Sequence, residues 1–170
     1  MIIKLTGAAM ILVSCAGFGL KITATHKAEE RALSCLVNAL DYMECELQYR
    51  LTPLPVLCRQ AAAESKGTIR EVFSRLSQEL EDQVSPDVCS CMNAALSQCA
   101  GLPKSVRECL NQLGASLGRF DLHGQLRGLE AVRASCRSKL KYICDNKDVR
   151  RRSYQTLGIC AGAALAILLI

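Results

Sequence analysis

Residues 33–47 restrict the fold more than any other part of the chain. Leu33, Leu36, Leu40, Met43 and Leu47 recur at alternating spacings of three and four, which puts them on one stripe of a helix. Val37 widens that stripe. Asn38, Asp41, Cys45 and Gln48 occupy the opposite side, and Glu44 and Glu46 flank the seam. Pro53 ends the helix, because it disfavours the α conformation at Thr52 and has no N–H to donate. Thr52 is placed to cap a second helix with Pro53 as its first residue. Thr52-Pro53-Leu54 therefore reads as a hinge between two packed helices.

The same period continues along the chain. Leu54, Leu57, Cys58, Ala61 and Ala62 share one face of a helix over 53–66, with Gly67 just past its end. Thr68 and Glu71 have capping-box spacing before a helix with Ile69, Val72, Phe73, Leu76 and Leu80 inward. Ser85-Pro86 opens a helix carrying Val88, Met92, Leu96 and Cys99, stopped by Gly101. Pro103 starts the next, with Val106, Leu110, Leu113 and Leu117 inward and Gly118 past its end. A last helix begins near Asp121 and buries Leu122, Leu126, Leu129, Cys136, Leu140 and Ile143. No strand-like alternation occurs. The expectation is an all-α bundle of about six amphipathic helices with short antiparallel connections.

Both ends of the chain are apolar. Residues 1–20 would span about 30 Å as a helix, and residues 153–170 about 27 Å. The expected organisation is a transmembrane helix over 1–20, a helical domain over 21–152 and a second transmembrane helix over 153–170. Within the second span, Gly158 and Gly162 have the Gly-x-x-x-Gly spacing that lets helices approach closely in lipid.

Chemistry-bearing motifs are sparse. There is no phosphate loop of Walker type, no Gly-x-Ser-x-Gly elbow and no His-Glu-x-x-His. Glu44 and Glu46 point about 200° apart on a helix and cannot act on one atom. His26 and His123 read as surface residues. The net charge of +5 and the 4% aromatic content do not suit a nucleic-acid surface. The 11 cysteines are scattered singly apart from Cys89-Ser90-Cys91, which suits small apolar residues in a reducing compartment better than a zinc site. No enzyme, cofactor or metal is expected.

Three stretches carry a resemblance. They are Ala39-Leu40-x-x-Met43-Glu44-x-Glu46-Leu47-x-Tyr49-x-x-Thr52-Pro53-Leu54, then Leu113-Gly114-x-x-Leu117-Gly118-x-x-Asp121-x-x-x-Gln125, and the terminal apolar segment with Leu157-Gly158. Together they resemble the stage III sporulation protein AB family of endospore-forming bacteria, itself similar to the cytoplasmic domains of type II secretion F proteins. The resemblance implies a membrane-platform subunit of the secretion-like assembly between mother cell and forespore. It implies as partners the membrane, the other membrane subunits and the secretion-type ATPase of the same set. For Glu44 two readings stay open: a solvated flanking charge, or, with the resemblance, a buried polar tie or docking contact. Glu46 could pair with Arg50 or belong to an exposed docking surface. Tyr49 is expected to pack, with its hydroxyl on a polar partner. Gly114 and Gly118 suit close helix approach or a tight turn, and Asp121 an N-cap.

Charge near the membrane ends sets the expected orientation. Lys21, Lys27, Arg31, Lys147, Arg150, Arg151 and Arg152 lie inward of the two segments, against Lys4 and the terminal amine outside them. The excess places the central domain in the cytoplasm of a two-pass membrane protein. A competing reading comes from Leu12-Val13-Ser14-Cys15, which has the look of a lipoprotein processing site. Cleavage there would give a lipid-anchored extracytoplasmic helical binding protein instead.

Overall fold

The computed structural model describes residues 2–82, 87–118 and 121–169, and side chains for 26–82, 87–118 and 121–146. All regular structure among them is helical. The elements are α1 (Ile2–Arg50), α2 (Leu54–Glu64), α3 (Gly67–Glu81), α4 (Val88–Gln98), α5 (Lys104–Ser116) and α6 (Leu122–Leu169). The chain divides into two units, one from residues 29–141 and one from 1–28 with 142–170. In the second unit the described side chains include Tyr142, which is exposed and whose carbonyl accepts a bond from Asn146 Nδ2 at 2.9 Å.

Long-range bonds give the order of the helices in the 29–141 unit. Cys35 accepts from the Lys66 amide and Tyr42 donates to Gln60 Oε1, so α2 runs back along α1. Arg59 pairs with Glu81 across α2 and α3. Arg75 donates to the Gln98 carbonyl between α3 and α4, and Arg107 to the Cys99 carbonyl between the end of α4 and α5. Lys139 of α6 reaches Glu108 of α5 at 2.7 Å, and Arg133 of α6 reaches Asp41 of α1 at 3.0 Å. Each helix is therefore antiparallel to the one before it, and α6 also runs antiparallel along α1. Short connections produce this up-and-down order.

The α1 stripe is the centre of the core. Leu33, Leu36, Leu40 and Met43 are fully buried and Leu47 nearly so. Leu57, Cys58, Ile69, Phe73, Leu76, Met92, Leu96, Leu110, Leu113, Leu129 and Cys136 close around it. Val132 joins this core although the spacing reading passes over it, while Leu54, Leu80, Leu126 and Leu140 are only half-buried. Cys58, Cys91, Cys99, Cys109 and Cys136 are buried, as small apolar side chains.

Helix ends depart from the sequence reading in three places. The second helix starts at Leu54, with Pro53 in the N-cap position and no side-chain cap; Thr52 uses its hydroxyl elsewhere. Gly67 is the first residue of α3 instead of the residue closing α2. The Thr68–Glu71 capping box does not form, because Lys66 holds the N-cap position and Glu71 pairs with Arg75 one turn on, at 2.7 Å. Ser85-Pro86 lies outside the described residues. Asp121 does cap: its Oδ1 accepts the Gly124 amide at 3.0 Å.

Among the described residues no helix is long and apolar enough to cross a membrane. The side chains of 1–20 and 153–170, where the sequence places the two spans, lie outside the described residues.

Two outcomes follow from this core. Leu40→Ala should lower the unfolding free energy by about 2–5 kcal/mol, since the site cannot collapse around a fully buried leucine; denaturant titration measures it. Burial pushes the Cys58 thiol up to about 12. An unfolded thiol ionises near 8.5, so the unfolded chain loses this proton first as pH rises. Stability from Cys58 should be intact below about pH 8.5 and fall from there towards pH 12. Cys58→Ala should flatten that alkaline limb of the melting-temperature profile.

Candidate functional site

The conformation of one residue makes the α1–α2 corner. α1 stops at Arg50 because Leu51 takes a left-handed backbone conformation, φ +51°. For a residue with a Cβ this costs about 1–2 kcal/mol. Local bonds offset the cost. Thr52 Oγ1 donates to Glu46 Oε2 at 3.2 Å, and the other Glu46 oxygen faces Arg50 at 3.7 Å. The Glu46–Arg50 pairing read from the spacing is present. An exposed docking surface at Glu46 is not, because its side chain is only 12% exposed and its oxygens are occupied. Thr52 is a tie across the corner, not a helix cap.

Tyr49 does not pack. It is 77% exposed, and Leu51 beside it is 66% exposed. The tyrosine that fits the expectation is Tyr42, two turns earlier, whose hydroxyl meets Gln60 at 3.3 Å. Burial, with the carboxylates of Glu46 and Glu64 nearby, raises the Tyr42 phenol above its usual range. Pro53 and Val56 are also exposed, and Leu54 is half-buried. The corner thus presents apolar surface held over a polar tie.

Glu44 is a tie between helices. Its carboxylate meets Arg133 of α6, and the same guanidinium reaches Asp41 Oδ1 at 3.0 Å. Arg137 adds a contact to Asp41 at 3.3 Å. Arg133 and Glu44 are 22% and 27% exposed, so water screens this network only in part. Sequence reasoning missed Arg133. The signal available was the spacing of four between Arg133 and Arg137, which matches a carboxylate pair three apart on α1.

The second motif sits at the same end of the helical unit. A Cβ on Gly114 would lie 2.7 Å from Met92 Cβ, so α4 and α5 touch through this glycine. Gly118 follows α5 with φ +76°, and a Cβ there would run into the Val88 side chain. Asp121 then caps α6, and Gln125 donates its amide to the Asp121 carbonyl at 2.9 Å. Since α1 and α5 end where α2 and α6 begin, Tyr49–Leu54, Gly114–Gly118 and Asp121–Gln125 share one end of the unit. Gly158 and Gly162 lie outside the residues whose side chains are described.

No constellation for catalysis converges here. Two shallow depressions among the described residues are each lined from a single helix or its cap: Gly67, Arg70, Glu71, Ser74, Arg75 and Gln78 on α3, and Asp121, His123, Gly124 and Arg127 at the start of α6. Neither gathers groups from several elements, as substrate sites do. Among the described residues no group of His, Cys, Asp and Glu is arranged to hold a metal ion.

The model of the stage III sporulation protein AB family matches residues 4–170. The chain belongs to this family. Stage III sporulation protein AB of Bacillus subtilis (strain 168) is 26% identical over 171 residues, covering 99% of each chain. A solved structure of a stage III sporulation protein AB superposes with a TM-score of 0.64 at 23% identity, covering 72% of this chain and 98% of that one. That likeness supports the helical fold. Family membership gives the chain a role in sporulation, in a family that carries no enzyme's name.

The Glu44–Arg133 tie should be measurable by a double-mutant cycle. Arg133→Met should cost about 1–2 kcal/mol of stability in the wild-type background. It should cost about 1 kcal/mol less in Glu44→Gln, because the carboxylate it served has gone. Additive losses in urea titrations would show that the two side chains act separately.

Proposed function

We propose that this chain is a non-enzymatic, membrane-held platform subunit of the secretion-like assembly between mother cell and forespore, and that it docks the secretion-type ATPase of the same set. The observation that carries this reading is family membership over residues 4–170. The structure supports it indirectly. The two motif stretches converge at one end of a helical unit, and one of them presents Tyr49, Leu51 and Val56 as exposed apolar side chains. Exposed aromatic and aliphatic groups over a polar support suit a protein contact better than a reaction.

In this reading residues 1–20 and 153–170 cross the membrane, and residues 21–152 lie in the mother-cell cytosol. The other membrane subunits of the assembly meet the two spans. Docking belongs to the corner around Tyr49, with Glu46 and Thr52 shaping it from beneath.

Affinity purification of the tagged full chain from sporulating cells tests the partner assignment. The ATPase and the companion membrane subunits should co-purify. The double variant Tyr49→Ser, Val56→Ser should lower ATPase recovery about tenfold or more, the effect of losing roughly 1.4 kcal/mol or more, at unchanged protein level. Recovery equal to wild type would remove the corner from the contact.

Topology is tested separately. Intact mass of the membrane-extracted protein should include the first residues and carry no lipid on Cys15. Protease added outside intact cells should spare residues 21–152. A mass that begins at Cys15 with acyl chains attached would establish the lipid-anchored alternative instead.

A further inference from the structure

Two cysteines far apart in sequence face one another inside the helical unit. The register between α5 and α6 follows from three contacts around them. Lys139 reaches both the Ser105 carbonyl, at 3.3 Å, and Glu108, at 2.7 Å. Further along, a Cβ on Gly128 would lie 2.5 Å from Ser116 Cβ, so the helices approach closely there. Antiparallel helices pinned at 108 with 139 and at 116 with 128 place Cys109 opposite Cys136. Both are fully buried, and each thiol shifts the ionisation of the other. Neither takes part in the corner, the α1–α6 tie or the proposed docking.

We propose that Cys109 and Cys136 are a redox-active pair that a small peroxide converts to a disulfide, stapling α5 to α6. The neighbourhood differs from that of the other buried cysteines. For Cys58 burial alone acts, and it holds an inert thiol. Cys109 instead lies opposite the Cys136 thiol, with the Ser135 hydroxyl and the Lys139 ammonium close by. These groups stabilise negative charge on one sulfur and hold the thiol of Cys109 below the usual range. The same pairing, with burial, holds the proton on Cys136. One sulfur is prepared to attack and the other is poised beside it to resolve.

The steps balance. The Cys109 thiolate attacks one oxygen of hydrogen peroxide, the O–O bond breaks, and hydroxide leaves and takes a proton as water. Cys109 is then a sulfenic acid. Cys136 attacks that sulfur, the S–O bond breaks, and the hydroxyl leaves with the Cys136 proton as a second water. Two thiols have lost two electrons and two protons to one peroxide. Burial selects the oxidant, since peroxide is near the size of water whereas a glutathione disulfide cannot reach sulfurs closed in by α5 and α6.

The test uses the full chain in detergent, treated with hydrogen peroxide or with oxidised glutathione and digested without reduction. Peroxide should give the cross-linked peptide pair holding Cys109 and Cys136. Oxidised glutathione should form it at least tenfold more slowly while it modifies exposed Cys45 and Cys144. In Cys136→Ala the peroxide product should stop at a Cys109 sulfenic acid that dimedone traps, and a melting curve confirms that this variant is folded. The wild-type digest decides the matter on its own. Free Cys109 and Cys136 after Cys45 and Cys144 have been oxidised would overturn the proposal, as would a pair that forms equally fast with the bulky disulfide.

Discussion

The 29–141 unit depends on the apolar stripe of α1. Leu33, Leu36, Leu40, Met43 and Leu47 run through the core, and side chains of the other five helices close around them. Small side chains such as Ala61, Ala95 and Cys91 are buried along with the long ones of α1. With few aromatics, this core gains its density from interdigitation. Glycine extends the same logic. Without a Cβ at 114, α5 can rest directly on Met92 of α4.

An apolar stripe fixes which face of a helix is inside but is less exacting about register along the axis. The polar contacts supply that restriction. Arg133 accepts only an arrangement that brings Asp41 and Glu44 within reach together. Glu29 and Ser105 share a hydrogen bond between α1 and α5, and Lys139 holds α6 to α5. A slide of one helical turn, about 5.4 Å, would separate every one of these partners and leave part-buried charges without them. Losing partners at such sites is expensive, whereas a leucine moved by one turn still finds apolar neighbours.

Helix existence and inward faces were legible in the sequence because both follow from one period. The stripe of α1, the core of α5, that of α3 apart from Leu80, and the breaks at Pro53, Gly101 and Gly118 appear as read. Helix ends were harder to read, because several polar groups compete for the same job. Thr52 could cap α2 or tie to Glu46, and six residues of local sequence do not decide between them. Tyr42 and Tyr49 show the same limit. They are two turns apart on nearly the same face, so period alone cannot separate them. One lies beside α2 and finds Gln60, while the other lies beside the turn and finds nothing to pack on. Glu44's partner was hidden for a different reason, being 89 positions away.

Legibility of the corner as a site follows from the same division. The motif Glu46-x-x-Tyr49-x-x-Thr52-Pro53-Leu54 mixes residues that build the corner with residues that the corner displays. Glu46 and Thr52 are consumed in holding Leu51 in a left-handed conformation that glycine or asparagine would adopt at less cost. Tyr49 and the Leu51 side chain contribute little to the core, since both stand mostly in solvent. A chain that needed only a turn at this point would be more stable with a small residue at 51 and a polar one at 49. Keeping strain and exposed apolar surface together is a cost to the isolated helical unit. A partner that covered Tyr49 and Leu51 would recover that cost on binding, which is why the proposed docking is placed at the corner and not at the better-bonded Glu44–Arg133 tie.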